Sequence, residues 1–198
     1  MKEDHMHNGQ LKPGYNIQAA TSNQYVIDYA IFPNTTDTRT LVPFLSQMAL
    51  LPRFENIVAD AGYGSEYNYI MLEDHFKKNY YIQYSTYRME KTRKYKKDPT
   101  KTSNWYYDET DDYYVDPQGV KFSFKRYSSK VDRYGYKRDF KVYEADQVQE
   151  TDELEEASKT PKGYQRSIMY NPTWKNVKAH AKEFLEGEDG KRIYGYRK

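Results

Sequence analysis

The run Ile57-Val58-Ala59-Asp60-Ala61-Gly62-Tyr63-Gly64-Ser65 constrains this chain more than any other. An apolar stretch ends in one carboxylate, and a Gly-x-Gly turn follows. Short buried strands read as continuous apolar runs, and glycines just past them permit a tight turn. Residues 65–76 then read as a helix with Tyr69, Ile70, Leu72 and Phe76 toward a sheet, and 80–84 reads as the next strand. That order is a βαβ unit with a right-handed crossover. Asp60 therefore stands at the C-terminal lip of a strand, where open α/β sheets place their ligands. A carboxylate there can hold Mg²⁺, which is usually bound through one or two carboxylates plus phosphate oxygens. It can equally be a plain turn cap, and residues 57–65 alone leave both readings open.

Upstream, 15–20 and 24–32 are rich in β-branched and aromatic residues, and Thr21-Ser22-Asn23 offers the turn of a β-hairpin. Pro33-Asn34-Thr35-Thr36-Asp37 breaks the second strand and supplies helix N-cap candidates. Leu41, Phe44, Leu45 and Met48 recur at helical spacing, with Pro43 near the first turn, where its missing N–H costs least. The order predicts an α/β fold. The hairpin 15–32 and the strand 57–59 are expected in one mixed sheet, with helices 37–49 and 65–76 packed on it.

The size of 198 residues suits one domain with an insertion. Only 37% of residues are hydrophobic and 23 are tyrosine, whose hydroxyl needs a partner, so half-buried surfaces are expected more than a dry core. The chain has no cysteine, which excludes disulfides and cysteine–metal sites. No run approaches the roughly 18 apolar residues of a membrane span, and no signal-peptide pattern opens the chain, so a cytoplasmic protein is the default. His5 and His7 are too few ligands for a tetrahedral site.

From residue 87 the texture changes. Arg88, Lys91, Arg93, Lys94, Lys96, Lys97 and Lys101 form a basic stretch, followed by an acidic patch at Asp108, Glu109, Asp111, Asp112 and Asp116 that could tether it. Beyond that patch, cations including Lys125 and Arg126 alternate with aromatics through 143. Asp116-Pro117-Gln118-Gly119 and Asp132-Arg133-Tyr134-Gly135 read as hairpin turns, making 104–143 a small antiparallel sheet. Interleaved cations and aromatics suit nucleic acid, through counterion release and base stacking, and equally suit a solvated sheet whose lysines discourage edge pairing. Residues 144–156 are strongly acidic, 159–163 reads as a linker, and Asn171-Pro172 opens a last helix striped by Trp174, Val177, Ala181, Phe184 and Leu185. Gly187 and Gly190 are expected to interrupt it.

Asp60-Ala61-Gly62-Tyr63-Gly64-Ser65 resembles the second-aspartate motif of bacterial insertion-sequence transposases of the DDE type. The resemblance extends through Met1-Lys2-Glu3-Asp4-His5-Met6, Asn8-Gly9-Gln10-Leu11-Lys12-Pro13-Gly14-Tyr15-Asn16 and Phe32-Pro33-Asn34-Thr35-Thr36-Asp37-Thr38-Arg39. It continues in Arg93-Lys94-Tyr95-Lys96-Lys97-Asp98-Pro99 and Tyr170-Asn171-Pro172, in the family's order over nearly the whole chain. It implies an RNase H-like mixed sheet flanked by helices, with an inserted antiparallel β subdomain. In that fold the hairpin supplies the second and third strands and Asp60 ends the fourth. The domains expected are a partial core at 1–86, a basic and aromatic insertion with its acidic flexible segment at 87–163, and a strand and helix returning to the core at 164–198.

The resemblance also implies DNA, the transposon ends, as partner, with strand cleavage and transfer at two Mg²⁺ ions roughly 3.5–4 Å apart. It carries over Asp60 as catalytic and metal-binding, Gly62 and Gly64 as turn support, and Asp37 and Arg39 as contacts at the same sheet edge. Arg93, Lys94, Lys96, Lys97, Lys125 and Arg126 are the expected DNA contacts. The family's first aspartate lies upstream of the residues matched by Met1, and its glutamate beyond the match at Gly190-Lys191-Arg192-Ile193-Tyr194. The expectation is thus a transposase fragment, inactive alone. Asp4 or Asp28 could stand in for the first carboxylate, and Glu183, Glu186 or Glu188 for the third, although acidic side chains are usually mere surface groups. Relatives commonly carry a cysteine cluster where this chain has Ala145, Val148, Thr151 and Ala157. No zinc is expected, and 144–156 should be flexible. A DNA-binding regulator without catalysis and a small metal-dependent nuclease are the alternatives, and a homo-oligomer is left open.

Overall fold

A computed structural model describes residues 2–3, 9, 11–12, 14–34 and 36–195. The expectations for Asp4, His5 and His7 fall outside those residues. The chain forms two compact units, 1–85 with 177–198, and 86–176.

In the first unit a short antiparallel pair, β1 (Lys2–Glu3) with β2 (Leu11–Lys12), precedes the hairpin of β3 (Asn16–Ser22) and β4 (Tyr25–Phe32). Its turn is Asn23-Gln24, with φ of 50° and 69°. Two consecutive left-handed residues match the twist of the flanking strands. Thr21 and Ser22, expected in the turn, therefore extend β3. A tight turn at Asp37–Arg39 leads into α1 (Leu41–Gln47), which buries Leu41, Val42, Phe44 and Leu45.

The βαβ arrangement expected from 57 onward is present. β5 (Asn56–Ala59) pairs in parallel with β6 (Asn79–Ile82), and α2 (Glu66–Ile70) lies between them in sequence. Past Ile70 the helix widens by a residue per turn through Met71–His75, where Phe76 N–H donates to Met71 O at 2.9 Å. Lys77, at φ 53°, ends it, and Lys78 N–H caps Leu72 O at 2.9 Å.

One expectation is corrected. The hairpin and β5 do not share a hydrogen-bonded sheet: among the described residues β3 pairs only with β4, and β5 only with β6. Between them lies a cleft of about 310 Å³, lined by Gln18 to Thr21 of β3, by 56–60 and by Phe44, Leu45 and Met48. With one edge open, β5 is not the fully buried strand its apolar run suggests, and Val58 is 40% exposed.

The core under β6 is built from tyrosines. Tyr69 and Tyr80 are fully buried and stacked, with ring centroids 4.8 Å apart. Buried tyrosine is tolerated because each hydroxyl finds an acceptor. Tyr69 donates to Ile82 O at 3.0 Å, and Tyr80 donates to Glu73. Tyr69 and Tyr80 depart from the half-buried expectation, which Tyr63, Tyr67, Tyr107 and Tyr113 follow. From Val177 onward, α6 (Pro172–Glu186) belongs to this unit, where Phe184 meets Tyr80 edge-on at 5.2 Å. Only Gly187 breaks the helix. Gly190 lies inside α7 (Glu188–Gly195), where a Cβ would sit 2.2 Å from Phe184 O. Its role is close approach rather than interruption.

The second unit holds α3 (Tyr87–Glu90), α4 (Arg93–Lys96) and a five-stranded antiparallel sheet. Its strands are β7 (Tyr106–Asp108), β8 (Tyr113–Val115), β9 (Lys121–Val131), β10 (Lys137–Ala145) and β11 (Ser167–Tyr170), in the order β11-β10-β9-β8-β7. The strand read near 164–170 thus pairs with β10, and the chain joins the first unit at Val177. Tyr114, Val120, Phe122, Tyr143 and Ala145 form the core. Both expected hairpin turns form alike. Asp116 and Asp132 each accept two backbone N–H bonds through Oδ1, and Gly119 and Gly135 take φ of 97° and 85°.

The acidic segment is not flexible throughout. Thr151 caps α5 (Asp152–Ala157), and Leu154 and Ala157 pack against the sheet core. Carboxylates in the first turn of that helix complement its dipole, and two apolar anchors suffice to dock it.

Candidate active site

Asp60 follows β5 directly and is solvent-exposed, with φ −73° and ψ 162°. The turn Ala61–Tyr63 follows, and Ser65 opens α2, its Oγ accepting from Asn68 N–H at 3.2 Å. The glycines here do not supply left-handed backbone, since Gly64 has φ −69°. Gly64 is required by proximity: a Cβ there would lie 2.5 Å from Gln83 O and 2.9 Å from Tyr84 Cα. Gly62 is less constrained, with Asp37 Oδ2 at 3.3 Å from such a Cβ.

A second turn, Asp37–Arg39, is fastened to the first. Thr38 Oγ1 donates to Gly62 O at 2.8 Å, and the fully buried Asn68 donates through Nδ2 to Thr38 O at 2.9 Å and Tyr63 O at 2.7 Å. Two carboxylate-bearing turns are therefore held by one amide. Asp37 Oδ1 accepts from Asn16 Nδ2 at 2.7 Å, and Tyr63 donates its hydroxyl to Gln18 Oε1. Burial, then the charge of Asp37, raise the Tyr63 hydroxyl above the ordinary tyrosine range, and Asp60 adds to this. The carboxylates of Asp37 and Asp60 thus both act on Tyr63. Arg39 ends the Asp37–Arg39 turn.

Sequence reasoning missed Asn16, Gln18, Tyr63 and Asn68. Only the structure sets β3 apart: Gln18 is 5% exposed while its neighbour Ile17 is 66% exposed. A strand that turns its glutamine inward and its isoleucine outward faces a polar site. Of the substitute carboxylates, Asp28 lies within β4 and accepts from Tyr29 N–H at 2.8 Å. Glu183 and Glu186 lie on α6, and Glu188 starts α7. Among the described residues no group of three His, Asp or Glu side chains is placed to hold a metal ion.

In the second unit, Arg93, Lys94 and Lys96 form the single turn of α4, capped by Thr92, and Lys97 follows it. All four are exposed, and among the described residues none has an ion-pair partner. The acidic patch does not tether them. Asp112 pairs with Lys141 at 3.0 Å, and Asp116 with Arg166 at 3.0 Å. Of the other two expected DNA contacts, Lys125 pairs with Glu144 at 3.0 Å, while Arg126 has no ionic partner among the described residues.

No helix among the described residues is long and apolar enough to cross a membrane. Comparisons with curated proteins and with solved structures return no match. The family description "Transposase DDE domain" matches residues 1–183, a span containing the strand that ends in Asp60, its turn and α2. The chain belongs to that family.

Proposed function

We propose that this chain is the DNA-holding part of a DDE transposase with an RNase H-like first unit, and that alone it binds DNA without cutting it. The observation that carries this is the position of Asp60 at the lip of the parallel pair β5–β6, within a match to the family over 1–183. The cleft beside β5 supports the RNase H-like assignment. Gln18, in the first half of β3, bonds Tyr63 just past the end of β5, and both strands line that cleft. A strand laid between them, parallel to β5, would join both ladders in one mixed sheet. Its C-terminal end would arrive beside Asp60.

The family uses a divalent metal, and Mg²⁺ is our choice for it. The described residues do not complete such a site. Two ions roughly 3.5–4 Å apart need several convergent carboxylates, and the described residues bring no three candidate ligands together. Asp60 alone therefore supports no cleavage step. What the chain does supply is a fixed anchor: Gly64 sets the turn against Gln83 and Tyr84, and Asn68 locks the Asp37 and Asp60 turns together.

The second unit, 86–176, is the DNA-contacting insertion in this proposal. Unpaired cations on α4 suit phosphates, whose neutralisation releases counterions and makes affinity fall with salt. The test is fluorescence anisotropy with a labelled duplex between about 50 and 200 mM salt. Binding with a steep salt dependence is expected, and no binding at the lowest salt would end the proposal.

A further inference from the structure

In the second unit, β9 and β10 continue past their neighbours. β8 pairs with β9 only at 121–123 and β11 with β10 only at 141–144, while β9 and β10 stay paired out to Val131 and Lys137. Residues 127–131 and 137–140 therefore form a two-stranded ribbon with both outer edges uncovered by other strands among the described residues. At ~3.3 Å per residue, it extends roughly 17 Å beyond the sheet. Its tip is a defined loop: Asp132 N–H donates to Tyr136 O and Gly135 N–H to Asp132 O, both at 3.0 Å.

Residues 126–141 hold six cations against two carboxylates. Lys137 is paired with Asp139, Arg138 with Asp132 and Lys141 with Asp112. Arg126, Lys130 and Arg133 are exposed and have no ionic partner among the described residues. The register sets Arg138 directly opposite Lys130, and Arg126 lies on the same face because side chains alternate along a strand. Ser128, between Arg126 and Lys130 on that face, leaves room for close approach. The Tyr136 and Phe140 rings each carry a cation, while Tyr127 and Tyr134 are 73% and 53% exposed. Arg138 lies 4.7 Å from the Tyr136 ring centroid, and Lys130 lies 5.9 Å from that of Phe140.

We infer that this ribbon enters the major groove of duplex DNA, with Arg126, Lys130 and Arg133 on the phosphates flanking it. The groove, ~12 Å wide and ~8.5 Å deep, admits a two-stranded β-ribbon. The inference rests on the proposal that the chain binds DNA, and adds which element enters which groove.

The test combines Arg126→Ala, Lys130→Ala and Arg133→Ala in the full chain and follows binding to a fluorescein-labelled duplex by anisotropy. All three side chains are solvent-exposed, and an unchanged circular dichroism melt confirms that the fold is kept. Three lost phosphate contacts should flatten the slope of log K against log salt by about 2.7. Methyl green, which occupies the major groove, should displace the unsubstituted chain, and netropsin, which occupies the minor groove, should not. An unchanged slope, or displacement by netropsin alone, would overturn the ribbon inference while leaving DNA binding intact. So would a loss of self-association on sedimentation with duplex affinity unchanged, which would assign the ribbon to contacts between copies of this chain. Failure of the unsubstituted chain to bind duplex at all would instead remove the broader proposal, and the ribbon's role with it.

Discussion

Gly64 lies so close to Gln83 that a Cβ on it would sit 2.5 Å from the Gln83 carbonyl oxygen. The obstacle is backbone just past β6, which cannot swing aside like a side-chain tip. Gly64→Ala should therefore destabilise the first unit by about 1–3 kcal/mol, the range for overpacking. Gly62→Ala, which meets only the Asp37 carboxylate at 3.3 Å, should cost less. Urea unfolding of the two variants side by side checks the order, and equal losses would refute it.

Asn68 is the joint between the two turns. Its Nδ2 serves Thr38 O and Tyr63 O, and the residue is fully buried. Asn68→Ala leaves two carbonyls without their donor, at about 1–3 kcal/mol for each buried group left unsatisfied. The accompanying sign should be faster amide exchange across 37–39 and 61–64. Stability within error of the unsubstituted chain would show that water replaces the amide.

Much of the fold was legible because local rules and tertiary packing agree. The run at 57–59, the Gly-x-Gly turn and the apolar period of 65–76 each point to βαβ, and β5, α2 and β6 form. Asp116 and Asp132, each three residues before a glycine, marked both hairpin turns. What was illegible depends on contacts far apart in sequence. Gly64 reads as a turn residue, because nothing in the turn reveals Gln83 and Tyr84 across from it. The buried tyrosines escaped because their acceptors, Ile82 O and Glu73, are tertiary. The acidic run was read as flexible from its charge, although Leu154 and Ala157 dock it. At the site, the motif revealed Asp60, but only the fold brings Asp37, Gln18 and Asn68 to that edge.

The second unit should be acid-sensitive through Asp112. Burial alone would raise its carboxyl, but hydrogen bonds from Tyr143, Tyr107 and Lys141 outweigh that and hold it below the usual range. A depressed carboxyl contributes stability above its unfolded value, lost as pH falls through the folded one. The loss should therefore come below about pH 4, where an unperturbed aspartate begins to protonate. Asp112→Asn keeps the shape and tolerates the φ of 51° at this position. It should lower stability at pH 7 and flatten the acid limb of the unfolding curve. An acid limb as steep as before would place the sensitivity elsewhere.

The basic turn of α4 should contribute to binding separately from the ribbon. Arg93, Lys94, Lys96 and Lys97 changed together to Ala should flatten the salt slope by up to about 3.6, at ~0.9 per phosphate contact. Displacement by methyl green should survive, because α4 is not the groove element. An unchanged slope would leave these four as solvated surface charges.

This chain is expected to hold DNA without cutting it alone. The direct measurement is strand cleavage and joining on DNA carrying the element's ends, with Mg²⁺ or Mn²⁺ added, at protein concentrations where the anisotropy assay shows full binding. Bound DNA should stay intact, because among the described residues no carboxylates converge with Asp60 as two-metal chemistry needs. Turnover by the unsubstituted chain that Asp60→Ala abolishes would contradict it, and would show that other carboxylates complete the site around Asp60.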